Sequence, residues 1–384
     1  MQLEAQNIVY WTGSVFDPSA LMGRPALVPS QNEWSLGLIN GMRGHGADVR
    51  IIAHMPERLW PRGQLFPVAR DNELLPYAHG KVRYCNAGAL RTPTLTAQYP
   101  KVLTRCMAEP EATACVLSYN PYPWHKAVGQ AARRAGVPWI CIVLDYDDVG
   151  PEWSNLRRDL VDAAGVVFLS RWGFDGYPGP QPKLHLDGGI SGWKGDAPRR
   201  TNGKRIVMYA GKYAGYGGVQ VLIDAICQTP GEDVEFWMAG RIFEEKVREQ
   251  FRRDRRIRYL GFLEKDELEN RMAEADVFVN PRPPEMQENR MIFPSKILHY
   301  LSFGRPVVST WTDGLAPEYR DLMFFPTGDG SAALADAIRR ALDIPLQERE
   351  ALRDRIRAFV CESRQWSLQA GRLLQWIQHE IIAQ

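Results

Sequence analysis

Three features of the 384-residue sequence predict an α/β fold of two doubly wound, parallel-sheet domains. Short apolar runs of strand type alternate with segments of helical period along most of the chain. A stretch rich in glycine, proline and charge, from Pro178 to Gly203, divides that alternation into two halves. The stretch from Asn280 to Val308 reads as strand, loop, helix, strand, the repeating unit of such sheets.

In chain order, Asn7 to Trp11 predicts a first strand, and Gly13-Ser14 opens a loop running to about Gln31. Glu33 to Arg43 has apolar residues at helical spacing, stops at Gly44 and feeds a strand from Asp48 to Ala53. Further strands are expected at Val82–Cys85, Ala114–Ser118, Trp139–Leu144 and Val166–Ser170. No glycine fingerprint follows the first strand, which argues against an ordinary dinucleotide-binding start. The second half begins with Arg205–Gly211, the glycine-rich loop Gly211–Gly218 and a helix from Val219 to Cys227. Strands are then expected at Phe236–Gly240, Ile257–Gly261, Asp276–Val279, Val307-Val308 and Met323–Phe325. Helices are expected at Ala332–Leu342, at the charged stretch Glu348–Val360, and at the end, where Leu373, Leu374, Trp376, Ile377 and Ile381 share a face. Trp366 and Trp376 read as packing residues. The expected domains are 1–195, completed by about 365–384, and 203–364.

Composition narrows the function classes. A formal net charge of +2 does not point to nucleic acid. The six cysteines have no paired spacing of zinc or redox type and read as reduced thiols. No apolar run approaches membrane-spanning length, and the polar start Met1–Gln6 carries no secretion signal, so a cytoplasmic location is expected.

The chemistry is expected where loops leave the C-terminal ends of parallel strands. Pro294 and Ser295 suit the first turn of a helix, with the serine hydroxyl expected to accept from an orphan backbone N–H. Free N–H groups and the helix dipole make such a place receptive to anions, and Lys296 and Arg282 add charge to it. Glycines of the loop after Arg205–Ala210 would let a diphosphate approach the backbone beside Lys212, although a tight turn alone needs glycine equally. In the first half, Asn120, Trp124 and His125 follow one strand, and Asp145 and Asp147 follow another. These rings and carboxylates suit a carbohydrate acceptor. The competing reading makes Tyr122 and Trp124 helix-start packing and His125 a surface residue. For Asp145-x-Asp147, acceptor contact is preferred over a metal pair, with loop solvation as the bland reading.

Asn280-Pro281-Arg282, then Phe293-Pro294-Ser295-Lys296, Tyr300-Leu301 and Gly304-Arg305-Pro306-Val307-Val308, resemble the nucleotide-sugar signature of bacterial GT-B fold glycosyltransferases. The resemblance is to the exopolysaccharide and surface-glycan branch of glycosyltransferase family 4. It implies two Rossmann-like domains facing a cleft, with a C-terminal helix crossing back to the first. It also implies retaining transfer of a sugar from a nucleotide diphosphate sugar, a UDP- or GDP-sugar, to a hydroxyl of a glycan or lipid-linked glycan. No cofactor, metal or nucleic acid is implied.

Together with the residue readings, this gives Lys212, Lys296, Asp145 and His125 as catalytic candidates. Donor candidates are Gly211, Gly218, Arg241, Phe262, Arg282, Glu288, Asn289, Ser295 and His299. Acceptor candidates are Asn120, Trp124 and Asp147. His299 stands where the family usually carries a ribose-gripping glutamate, and reads as a ribose contact, a phosphate partner or a packing residue. Gly217 stands where a second lysine is frequent. The alternatives are a non-catalytic GT-B protein that binds a nucleotide sugar or a partner, and a nucleotide-sugar epimerase. Trp60-Pro61-Arg62, or Trp34 with Arg43, is the expected place for any peripheral contact with the inner face of a membrane, and ordinary surface scatter explains these residues as well.

Overall fold

The computed structural model describes residues 7–23, 26, 28–146, 148–196, 203–211, 213, 217–242, 245–286 and 288–383. The chain divides into two compact units, one of Met1–Gly189 with Trp366–Gln384 and one of Ile190–Gln365. Each is built on a parallel sheet, as the alternation of elements demands.

Among the described residues, the first unit has seven strands in the order β3-β2-β1-β4-β5-β6-β7. They are β1 (Ile8–Thr12), β2 (Asp48–Ala53), β3 (Ala78–Lys81), β4 (Thr113–Tyr119), β5 (Trp139–Val143), β6 (Gly165–Phe168) and β7 (Lys183–His185). β1, β4, β5 and β6 are buried along their whole length, which is why they read as continuous apolar runs in the sequence. The helices of this unit are α1 (Pro29–Gly44), α2 (Gly88–Cys106), α3 (Pro123–Arg134), α4 (Ser154–Asp159) and α5 (Arg171–Gly176). The second unit orders its strands β10-β9-β8-β11-β12. These are β8 (Arg205–Ala210), β9 (Val234–Ala239), β10 (Ile257–Gly261), β11 (Val277–Asn280) and β12 (Val307–Ser309). Its helices are α6 (Val219–Gln228), α7 (Glu245–Phe251), α8 (Lys265–Glu274), α9 (Glu288–Met291), α10 (Lys296–Leu301), α11 (Gly330–Leu342) and α12 (Leu346–Ser363).

The last helix, α13 (Trp366–Trp376), returns to the first unit. The glycines of α1 make its seat. A Cβ at Gly37 would collide with the Trp366 indole, and one at Gly41 would lie 2.7 Å from the Ala370 Cβ. The Trp34 ring meets Trp366 edge-on at 5.9 Å, and the His45 ring bonds the Ser367 carbonyl at 2.8 Å. Trp34 is therefore core, with 5% of its surface exposed, and the reading of Trp34 as a membrane contact is corrected.

Other expectations change for local reasons. The strand expected at Val82–Cys85 lies earlier, at Ala78–Lys81, where Ala53 at the end of β2 pairs with Lys81. Its sequence, Ala-His-Gly-Lys, has no apolar run to betray it. Met323–Phe325 makes a single bridge, Val308 to Phe324, beside the three-residue β12. α1 starts at Pro29 rather than Glu33, since proline is pre-set for a first helical turn. The chain leaves the first unit at Gly189, ahead of the expected boundary, because residues 190–196 are fastened to the second. There the Ile190 amide donates to the Arg364 carbonyl and the Lys194 amide to the Ser302 carbonyl, both at 2.8 Å, and Arg353 pairs with Asp196 at 2.6 Å.

Truncating the aromatic anchor of α13, Trp366→Ala, is expected to cost about 3–5 kcal/mol, the usual range for a large buried aromatic. Urea unfolding followed by tryptophan fluorescence and circular dichroism measures it.

Candidate functional site

In the second sheet the strand order reverses between β8 and β11, so the crevice for a ligand lies at their C-terminal ends. β11 pairs with β8 through Val277 and Phe278. Further along β8, the Tyr300 hydroxyl takes the place of a strand: it accepts from the Ala210 amide at 2.9 Å and donates to the Ala210 carbonyl at 3.1 Å. Stacking of Tyr300 on Phe278, with ring centres 4.6 Å apart, fixes α10 at this opening.

Lys296 starts α10, and its Nζ lies 4.5 Å from the centre of the Tyr209 ring. The amine occupies space that a side chain at residue 211 would fill, so Gly211 leaves it room and any larger residue there would displace the lysine end. The residue as a whole is partly exposed, but this end of it is packed away, and among the described residues no carboxylate pairs with it. Burial, followed by the charge of Arg282, pulls its ammonium down to about 7. The Arg282 guanidinium thus acts on an ammonium that no carboxylate pairs with among the described residues, and positive charge gathered in this way favours an anion.

Arg282 is held by its own loop. Its Nη1 donates to Asn289 Oδ1 at 3.0 Å, while Asn289 Nδ2 donates to the Pro283 carbonyl at 2.7 Å and Thr310 Oγ1 donates to the Arg282 carbonyl. Asn289 is completely buried and organises this loop, so its expected direct donor contact is replaced by a supporting role. Gly218, at φ +70°, packs so closely on the Pro281 carbonyl that no other residue fits. Arg241 lies 4.0 Å over the Phe262 ring, so the structure brings together two candidates placed separately, after β9 and β10.

The structure corrects the expected cap: Ser295 is already helical, at φ −50° and ψ −28°, and its hydroxyl caps nothing. His299 points to α8, with Nε2 3.7 Å from Glu269 Oε1, and Glu269 also pairs with Lys194. The Glu269 carboxyl is held down to about 2, by His299 first and by Lys194, against the opposing effect of burial. Of the three readings of His299, this geometry matches the packing residue. Lys212 and Asp147 lie outside the described residues, as does the side chain of Glu288.

In the first sheet the order reverses between β1 and β4, and the candidates of this unit follow β4 and β5. Asn120 adopts φ 52°, a left-handed conformation open to asparagine, and bends the chain towards α3. Its amide is fully engaged: Oδ1 accepts from the Leu144 amide at 2.9 Å, and Nδ2 donates to Asp145 at 2.6 Å and to the Tyr122 hydroxyl at 3.3 Å. Asn120 therefore joins two loops rather than offering a free group to an acceptor, and Asp145, though exposed, is oriented by it. Tyr146, between the two aspartates, donates to Asp159 at 2.6 Å. Among the described residues, no cluster of three or more His, Cys, Asp or Glu could hold a metal.

His125 is buried rather than on the surface. Its Nδ1 donates to the Tyr119 carbonyl at 2.6 Å and lies 3.0 Å from the Asn120 carbonyl, which places the proton on Nδ1 and leaves Nε2 as an acceptor. Burial lowers its pKa to about 4. Trp124 stacks on Tyr122, ring centres 5.0 Å apart, and meets His125 edge-on at 5.8 Å. His54 completes this group, sharing a 2.7 Å hydrogen bond with Tyr99 and lying 5.9 Å from the Trp124 ring. Burial first, then the charges of His125 and Arg91, pull its pKa to about 3. Sequence reasoning missed His54, although it directly follows β2 at the end of the sheet where ligands bind.

Residues 204–343 match the family described as glycosyl transferases group 1, so the second unit carries a glycosyltransferase group 1 domain. No curated protein matches the sequence. Among solved structures, the chain is similar to sucrose-phosphate synthase from Thermosynechococcus elongatus, with TM-score 0.70 and 16% identity over 98% of this chain and 100% of that one. A glycosyltransferase from Rickettsia africae gives TM-score 0.70 and 13% identity over 98% and 99%. HepE from Anabaena, solved with UDP, gives 0.64 and 13% over 97% and 100%. The fold is GT-B, two Rossmann-like parallel-sheet domains.

Both histidines are neutral in the folded state and protonate in the unfolded chain below about pH 6.5. The unfolded state then binds more protons, so stability falls as pH drops from about 6.5 towards their folded values. The loss should approach about 1.4 kcal/mol per pH unit for each histidine. Urea midpoints between pH 7.5 and 5 should show a shallower slope in His54→Gln than in the native protein.

Proposed function

We propose that the protein is a retaining glycosyltransferase that moves a sugar from a nucleotide diphosphate sugar to an acceptor hydroxyl in polysaccharide or glycan biosynthesis. The observation that carries this reading is the Lys296 ammonium, seated against Gly211 and Tyr209 beside Arg282 with no paired carboxylate among the described residues, inside the glycosyltransferase group 1 domain. The difficult event in such a transfer is departure of the nucleotide diphosphate as negative charge builds on its oxygens. Lys296 and Arg282 meet that charge from fixed positions, which is the largest catalytic contribution a site of this kind offers. In this reading these cations serve in place of a metal.

The donor is proposed to be a uridine diphosphate sugar. HepE, similar in fold, has been solved with UDP and with UDP-glucose. Arg241 and Phe262, stacked after β9 and β10, are proposed to flank the base. The acceptor, a glycan or lipid-linked glycan, is assigned to the first unit, where the Tyr122–Trp124 stack offers an aromatic face and His125 Nε2 an acceptor nitrogen. The proposed place of action is the cytoplasm or the inner membrane face.

A thermal-shift panel of UDP, GDP, ADP, dTDP and their sugar conjugates tests the donor assignment, because a ligand of the folded state raises its melting temperature. Stabilisation by UDP and its sugars, lost in Lys296→Met, is the expected outcome. Donor consumption that appears on adding a glycan acceptor separates a transferase from an epimerase or a binding protein. No shift with any nucleotide would remove the proposal.

A further inference from the structure

We infer that the loop 58–70 and the first turn of α2 form a docking surface for an anionic lipid bilayer. This inference stands whether or not glycosyl transfer is the reaction. Half of the large apolar side chains that the described residues expose lie in this short region: Leu59 (48% exposed), Trp60 (54%), Phe66 (64%), Val68 and Leu90 (53%). Asn86, completely buried, ties the loop to the start of α2. Its Nδ2 donates to the carbonyls of Arg58 at 2.6 Å and Gln64 at 2.9 Å, and its backbone bonds Trp60 and Leu65. The apolar tips are thus presented from a braced loop rather than a loose one.

Charge identifies the occupant. Neither 58–70 nor 83–106 contains an aspartate or glutamate, while the two stretches carry Arg58, Arg62, Arg83 and Arg91, in a chain whose net charge is only +2. The neighbouring carboxylate Glu57 accepts from the Arg58 amide at 2.9 Å. Among the described residues, none of these four arginines is paired with a carboxylate side chain. Tryptophan, phenylalanine and leucine carried on one loop with Arg58 and Arg62 suit the headgroup boundary of an anionic membrane. A second copy of the chain would set arginines against arginines, and a soluble polyanion would leave the Trp60 and Phe66 rings in water. No helix among the described residues is long and apolar enough to cross a membrane, so the contact is interfacial.

Vesicle flotation of the full chain tests this, with phosphatidylcholine alone or mixed with phosphatidylglycerol. Binding to the mixed vesicles alone, weakened by salt, is expected. The pair Trp60→Ser, Phe66→Ser should lower partitioning by on the order of tenfold, from their loss of buried apolar area. Arg58→Gln and Arg62→Gln should each lower it about fivefold. Melting temperature and UDP-induced stabilisation in these variants serve as controls for folding and for the separate nucleotide reading. The proposal is overturned by equal binding to uncharged vesicles, by no binding to either, or by variants that bind as the native chain does. Self-association abolished by Trp60→Ser without vesicle binding would also overturn it, as would retention on inorganic polyphosphate alone.

Discussion

A lysine amine packed over a tyrosine ring is an uncomfortable charge, and the second unit is arranged around it. Lys296 cannot be fully hydrated where it lies, and among the described residues no acid pairs with it. Its position follows from backbone features far apart in sequence. Gly211 leaves room for Nζ, Tyr300 pins α10 to the end of β8, and the Arg282 loop, tied by Asn289 and Thr310, sets a second cation near it. A bound diphosphate would convert this unfavourable arrangement into a favourable one, which is how a preformed anion site differs from a surface lysine.

The first unit uses a different device. Asn120 takes a left-handed backbone conformation and engages every polar atom of its side chain, so two loops and the start of α3 become one rigid corner. That corner turns His125 inward and fixes its tautomer through backbone carbonyls rather than through an acid. A neutral imidazole with its proton on Nδ1 is the consequence, and its low pKa keeps it neutral across the physiological range.

Much of the scaffold was legible because buried parallel strands must be apolar on both faces. β1, β4, β5, β8, β9 and β11 all announced themselves in this way. The polar edge strand β3 did not, since an edge needs no such run. The Lys296 and Arg282 pair was readable from the strand-loop-helix pattern, but Ser295 and Asn289 were not. Whether a serine caps a helix depends on its backbone angles, and whether an asparagine faces a ligand or its own loop depends on packing that spacing does not encode. His299 misled for a similar reason: its partner, Glu269, lies on another helix thirty residues away. His54 is legible from position alone, since it follows β2 as Asn120 follows β4.

The most direct test of the account is calorimetry of UDP binding at pH 8 in buffers of different ionisation enthalpy. In the free protein Lys296 is mostly neutral at that pH, since burial and Arg282 lower it to about 7. A bound diphosphate raises its pKa again, so binding should take up nearly one proton per UDP at pH 8 and far less at pH 6. The uptake should vanish in Lys296→Arg, which keeps a charge that does not titrate there. UDP binding with no proton uptake at pH 8, or with uptake unchanged in that variant, would contradict the assignment of Lys296 as the anion partner.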